Sequence, residues 1–327
     1  MPRSESEPFV PSSYPGILHH YTKGLTAFEF DGPALKGSGK PLTVLFVAGL
    51  GDNLLTVPYV HDLLRIGWSI VQVLLSSSAG GWGTGSLHRD AKELALCISY
   101  FKIQLSRPRV VLMGHSTGCQ DVMEYLSRLD VSQQANGLLD GAILQAPVSD
   151  REALVMIMGQ NAYDRSWKHA QKMVRAGKAE DIMPSQITQN IFDSPCTASR
   201  WYSLTSPLHD GADDFFSSDT PIENLEATFG AITPARTPLL ILYSGADEFT
   251  PTTVDKKALV DRWVDACRRN GVAVDVANSG VIANATHNFA GCADAVVAEF
   301  LGRLGRFLDG VVAEGNTKGA GGLMSKV

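Results

Sequence analysis

The chain has 327 residues, 44% of them hydrophobic and 19% charged, and a formal net charge of −6. That length suits one large domain, or one domain with a sizeable insertion, and the balance is that of an ordinary soluble globular protein. The mild acidity, without any Lys/Arg run or long apolar stretch, argues against nucleic-acid binding and against a membrane span.

The opening MPRSESEPFVPSSYPG is polar, rich in Pro and Ser, and without the apolar centre of a secretory signal. Residues 1–20 are therefore expected to form a flexible arm. An edge strand is expected in TAFEF (26–30), and strand-like apolar runs follow at 42–49, 69–75, 109–114, 141–147, 238–245 and 272–278. They alternate with helical patterns: a short one near 53–66, then 88–105, 117–129 and a last one at 292–309. This rhythm predicts an α/β protein with a mostly parallel central sheet and helices on both faces. The rhythm breaks at 148–232, where helical stretches and the polar loop SPLHDGADDFFSSDTP predict a helical cap insertion above the sheet. The core is then 21–147 plus 233–312, and the Gly-rich 313–327 reads as a flexible tail. Its final Ser-Lys-Val resembles a peroxisomal address only loosely. Five widely spaced cysteines (Cys97, Cys119, Cys196, Cys267, Cys292) read as buried reduced thiols in a cytoplasmic protein, not as a disulfide or zinc framework.

One stretch carries chemistry. Gly114-His115-Ser116-Thr117-Gly118 ends an apolar run and opens a helical pattern. It matches G-x-S-x-G, in which a serine on a sharp strand-to-helix turn projects its oxygen above the sheet. The flanking glycines leave room where strand and helix nearly touch. His115 is expected to pack away from the serine oxygen. Such a serine needs a base, with an acid before it in the chain. Of the histidines after Ser116, His169 and His209 fall in the insertion. His287 falls on a loop between the last strand-like run and the last helix, so it is the expected base. Asp247, just past the run at 238–245, can orient it; the side chain of neighbouring Glu248 should point elsewhere. Two backbone N–H groups, of Leu50 in FVAGLGDN and of Thr117, are expected to form an oxyanion hole. Asp52 reads as a cap of the following helix. GLGDNL lacks the spacing of a dinucleotide loop or a phosphate loop, and no cluster has metal-ligand spacing, so no cofactor is expected.

With these residues in order, the chain resembles the α/β-hydrolase superfamily over about 40–310, less the insertion. Three stretches, VAGLGDNLLTVPYV, SSSAGGWGTGSLHRDAKEL and MGHSTGCQDVMEYL, resemble a narrower fungal and plant family of serine hydrolases. Its better-known fungal members are siderophore esterases acting on fusarinine-type compounds. The resemblance implies hydrolysis of ester bonds between hydroxamate units and release of intracellular iron. Iron would then enter only with a ferric substrate. The sequence departs from many esterases in having Ala48-Gly49 where they have His-Gly. Specificity is expected from the insertion, through Trp201, Tyr202, Asp213, Asp214 and Phe215, with Trp82 in a Gly-rich loop at 78–86. A solvated acidic loop with anchoring aromatics is the plainer reading of the same residues. A carboxylesterase, lipase or thioesterase on another acyl substrate stays open, as does a binding protein on a hydrolase scaffold.

Overall fold

The computed structural model describes residues 12–130, 132, 139–233 and 237–321. Eight strands form one sheet: β1 (Gly16–Thr22), β2 (Leu25–Phe30), β3 (Thr43–Val47), β4 (Ser69–Leu74), β5 (Val110–His115), β6 (Gly141–Gln145), β7 (Leu239–Ser244) and β8 (Gly280–Ile282). Their order across the sheet is β1-β2-β4-β3-β5-β6-β7-β8. β1 and β2 run antiparallel to their neighbours, and all pairings from β4 to β8 are parallel.

β3, β5, β6 and β7 are buried along their whole length, as strands covered on both faces must be. Their successive residues serve opposite layers. Leu45, Leu112, Leu144 and Ile241 pack under α1 (Leu87–Ser99), α2 (Gly118–Ser127) and α8 (Lys256–Arg269). Val44, Met113, Ile143 and Leu240 face the other way, onto Phe300, Leu304 and Phe307 of α9 (Asp294–Gly321). The chain leaves β3 for β4 on one side and returns to β5 on the other. This reversal opens a crevice at the carboxyl ends of β3 and β5, where open α/β sheets bind ligands.

Between β6 and β7 lie α3 (Asp150–Met158), α4 (Gln160–Arg175), α5 (Ser185–Thr188), α6 (Ala198–Thr205) and α7 (Ile222–Glu226). Leu154, Tyr163, Met183, Trp201 and Leu204 form a separate apolar cluster, which reaches Leu50 and Trp82 of the sheet side. The end of this segment behaves differently, because Phe215, Phe216, Leu225 and Phe229 join the core against α8.

Several expectations need correction. Residues 16–20, assigned to the flexible arm, belong to β1, tied down by the buried contact of His19 Nε2 with Glu29 of β2 (2.9 Å). Residues 1–11 lie outside the described residues, as do 322–327 of the expected tail. The rest of that tail continues α9 to Gly321, and no proline interrupts it. The last strand is not 272–278 but Gly280–Ile282. Asp275 folds the intervening chain into a turn by accepting from the Asn278 N–H (3.0 Å) and side-chain amide (2.7 Å). The helix near 53–66 is a 3-10 turn over Pro58–Ile66, and the Gly-rich loop holds another over Ala79–Thr84. Helix α1 gives way to a π-helical turn at Tyr100–Gln104. The five cysteines are free, and all but Cys292 are buried. Among the described residues no helix is long and apolar enough to cross a membrane.

Candidate active site

Ser116 sits between β5 and α2 with φ of 56°, in the left-handed region that non-glycine residues rarely occupy. The turn is tight on every side. A Cβ on Gly114 would lie 2.4 Å from the Gly118 oxygen, and one on Gly118 would lie 2.4 Å from the Val47 oxygen. Only glycine fits either place, so the spacing of the motif follows from strand–helix contact.

The turn after β3 meets this bend. A Cβ on Gly49 would lie 2.7 Å from Ser116 Cβ and 3.2 Å from its Oγ. Asp52 does not cap a helix, as expected from sequence; it folds this turn onto itself. Its main-chain N–H donates to the Gly49 oxygen (3.0 Å), and its Oδ2 accepts from the Gly49 N–H (3.1 Å). Thr56 Oγ1 donates to its other oxygen (2.8 Å). Among the described residues, the N–H groups of Leu50 and Thr117 have no hydrogen-bond acceptor in the chain. Two unpaired donors flanking the Ser116 bend suit a developing oxyanion.

His287 follows β8, and its Nδ1 lies 2.8 Å from Asp247 Oδ2, with both side chains buried. Asp247 Oδ1 accepts from the Phe249 N–H (3.0 Å), which fixes the carboxylate. Glu248 points elsewhere and supports the histidine loop, its Oε2 accepting from the His287 N–H (2.9 Å). No hydrogen bond joins Ser116 Oγ to the His287 ring among the described residues. Such contacts often tighten only when substrate is bound.

Gln145, at the end of β6, ties the loops together. Its main-chain oxygen accepts from the Ser116 N–H (3.1 Å), and its Nε2 donates to the His287 oxygen (3.3 Å). Its Oε1 accepts from Tyr59 (2.7 Å) and contacts His115 Nδ1 at 2.5 Å. His115 is buried, with its ring centroid 4.9 Å from that of His287. Burial first, and the His287 charge second, push its pKa down to about 4, so it stays neutral near His287. Sequence reasoning missed Gln145. Its signal was a glutamine ending an otherwise apolar strand.

The residues expected to bind substrate are less exposed than a binding mouth requires. Phe215 is 1% exposed, in the sheet-side core, with Arg128 over its ring at 4.2 Å. Trp201 and Trp82 are buried in the helical cluster, and Trp82 packs edge-on to Phe192. Asp213 is paired with Arg200, while Asp214 contacts His209 Nδ1 at 2.8 Å. Half-buried Tyr202 donates to Asp210 (2.8 Å). Charge pairing and apolar packing draw these side chains inward.

Relatives carry the same framework. The chain is 39% identical to fusarinine C esterase sidJ of Aspergillus fumigatus, over 84% of this chain and 89% of that one. Among solved structures, the siderophore hydrolase EstB from Aspergillus fumigatus superposes with a TM-score of 0.76 at 36% identity, covering 94% of this chain and 99% of its own. A structure described as an α/β-hydrolase fold protein of unknown function matches with a TM-score of 0.54 at 20% identity, over 82% of this chain and 87% of its own. The fold is therefore the α/β-hydrolase fold. Matched by its family model over residues 9–308, the chain belongs to the family described as protein of unknown function (DUF1749).

Proposed function

We propose that this protein is a serine esterase that hydrolyses ester bonds of fusarinine-type hydroxamate siderophores. The observation that carries the enzymatic part is Ser116 at φ 56°, with two unpaired N–H groups beside it and a bonded Asp247–His287 pair at the same sheet end. The substrate class rests on the identity to the fusarinine C esterase.

In this reading His287 Nε2 takes the Ser116 proton as Oγ attacks the ester carbonyl. Asp247 holds the ring in the right tautomer and stabilises the imidazolium. The Leu50 and Thr117 N–H groups hold the oxyanion. The C–O bond breaks, the alcohol leaves with the proton from His287, and an acyl-serine remains. Water, deprotonated by His287, then releases the acid and restores the serine. Ferric ion takes no part except as cargo of the substrate. The segment from α3 to α6 acts as a cap that shapes specificity. Iron release within the cell is the physiological role this chemistry serves, and the free thiols fit a reducing compartment.

Wild-type protein and Ser116→Ala, incubated with ferric and iron-free fusarinine-type siderophores and with p-nitrophenyl acetate and butyrate, test the reading. Ser116-dependent cleavage of the siderophores, with slower turnover of the simple esters, is the expected result. Turnover of simple esters alone would leave an esterase of another acyl substrate.

A further inference from the structure

Behind the proposed oxyanion hole lies a cavity of about 30 Å³. Gly49, Leu50 and Asp52 line it from the turn, and Thr117 lines it from the elbow. Asp90, Asp121 and Arg200 also line it. Among the described residues Arg200 is the one cation in that lining, and it arrives from α6, far away in sequence.

Arg200 is buried and bonded through Nη1 and Nε. Its guanidinium pairs with Asp213, which also accepts from Ser203, and its Nε donates to the Trp82 oxygen (3.2 Å). One residue on, the Gly83 oxygen accepts from the Thr197 N–H (2.8 Å). Contact between the two segments is close, since a Cβ on Gly83 would lie 1.9 Å from the Pro195 oxygen. The 3-10 turn clamped in this way begins at Ala79, whose N–H donates to the Asp52 oxygen (2.7 Å). Asp52 in turn folds the Gly49–Asp52 turn. Polar contacts, joined through the 3-10 turn, thus link Asp213 to the Gly49–Asp52 turn that carries the Leu50 N–H.

Two buried carboxyls line the same cavity. Asp90 and Asp121 are buried, and among the described residues Oδ1 of each lacks a hydrogen-bond partner. Burial pushes the Asp121 carboxyl well above the usual range and Asp90 up to about 6, and the Arg200 charge works against both shifts.

We propose that Arg200 is a positioning residue for the oxyanion hole: anchored by Asp213, it fixes the Trp82 loop that holds the Gly49–Asp52 turn. The helical segment is then part of the catalytic apparatus as well as a cover. This rests on the serine-esterase reading given above.

The test uses Arg200→Lys, Arg200→Met and the double variant Arg200→Met with Asp213→Leu. The double variant removes both partners of the Arg200–Asp213 pair, and replacing a buried ion pair with apolar groups is often neutral for stability. Hydrolysis of p-nitrophenyl acetate gives kcat and KM. A trifluoromethyl ketone, which adds Ser116 Oγ to form a hemiketal oxyanion, reports the hole itself. Both Met variants are expected to lose about 10- to 100-fold in kcat with KM little changed, a loss typical of misplaced groups. Ketone affinity should fall in step, and Arg200→Lys should lie between, since it keeps the charge but not the fork. A folded double variant with kcat within about twofold of wild type, or a loss confined to KM with ketone affinity intact, overturns the proposal. Absence of Ser116-dependent turnover in the wild type would instead sink the esterase reading.

Discussion

Two regions of this molecule are built by different physics. At the carboxyl ends of β3, β5 and β7, main-chain contacts set the geometry: glycines packed against carbonyl oxygens, a left-handed serine, an Asp52 that closes its own turn. Between β6 and β7, charged and polar side chains set it, through Arg200–Asp213, Arg151–Asp219 and His209–Asp214. Backbone contacts tolerate almost no change, whereas polar networks can be exchanged as long as each member stays satisfied. The first region suits fixed chemistry. The second suits a specificity set by side chains.

The comparison can be broken most severely at the acid. Asp247→Asn keeps the shape but favours the wrong tautomer of His287, and kcat should fall about 10⁴-fold with little change in melting temperature. Steady-state kinetics beside a thermal melt checks this; a loss below tenfold would transfer the role to another carboxylate. Next comes Gly49→Ala. The half-buried Gly49 would place its new methyl against Ser116, so kcat should drop about 100-fold while the fold survives. An active Gly49→Ala protein would mean that this turn is not held where the structure has it.

In the second region, Arg200 and Asp213 apart, the expected effects are on stability. Asp150, the first residue of α3, is pushed up to about 8, by burial above all and then by the Asp213 charge. A raised pKa means that its contribution is fully present below the ordinary carboxylate pKa of about 4 and is lost as pH rises through about 8. Asp150→Asn, a permanently neutral analogue, should therefore gain stability relative to wild type across that window. Urea denaturation at a series of pH values reads the difference, and parallel curves would refute it. Smallest is Tyr202→Phe, which deletes a bond to exposed Asp210 and a long one (3.5 Å) from Gln171 Nε2. It should cost about 0.5–1 kcal/mol and leave p-nitrophenyl acetate turnover unchanged.

The same contrast decides what could be read from sequence. Ser116 stood out because a glycine-flanked serine between an apolar run and a helical pattern has few other uses. His287 and Asp247 followed from chain order, and the structure brings them within bonding distance. The four fully buried strands were visible as apolar runs. The valines of VAVDVAN misled, because Asp275 and Asn278 make a turn that periodicity does not register. Arg200 and Asp213 were invisible as partners, since nothing in a polar loop says which charge it will meet. Phe215 looked like a binding-mouth aromatic for the same reason, before its burial in the sheet-side core was known.

The central claim is that Ser116 is a nucleophile activated by His287. The most direct measurement is the rate and site of labelling by a fluorophosphonate, mapped by peptide mass spectrometry in wild type, Ser116→Ala and His287→Ala. The account predicts one adduct per chain on the Ser116 peptide, none in Ser116→Ala, and labelling slowed by at least about 100-fold in His287→Ala. A folded wild-type protein that takes no label at Ser116, or labels equally fast without His287, would contradict it.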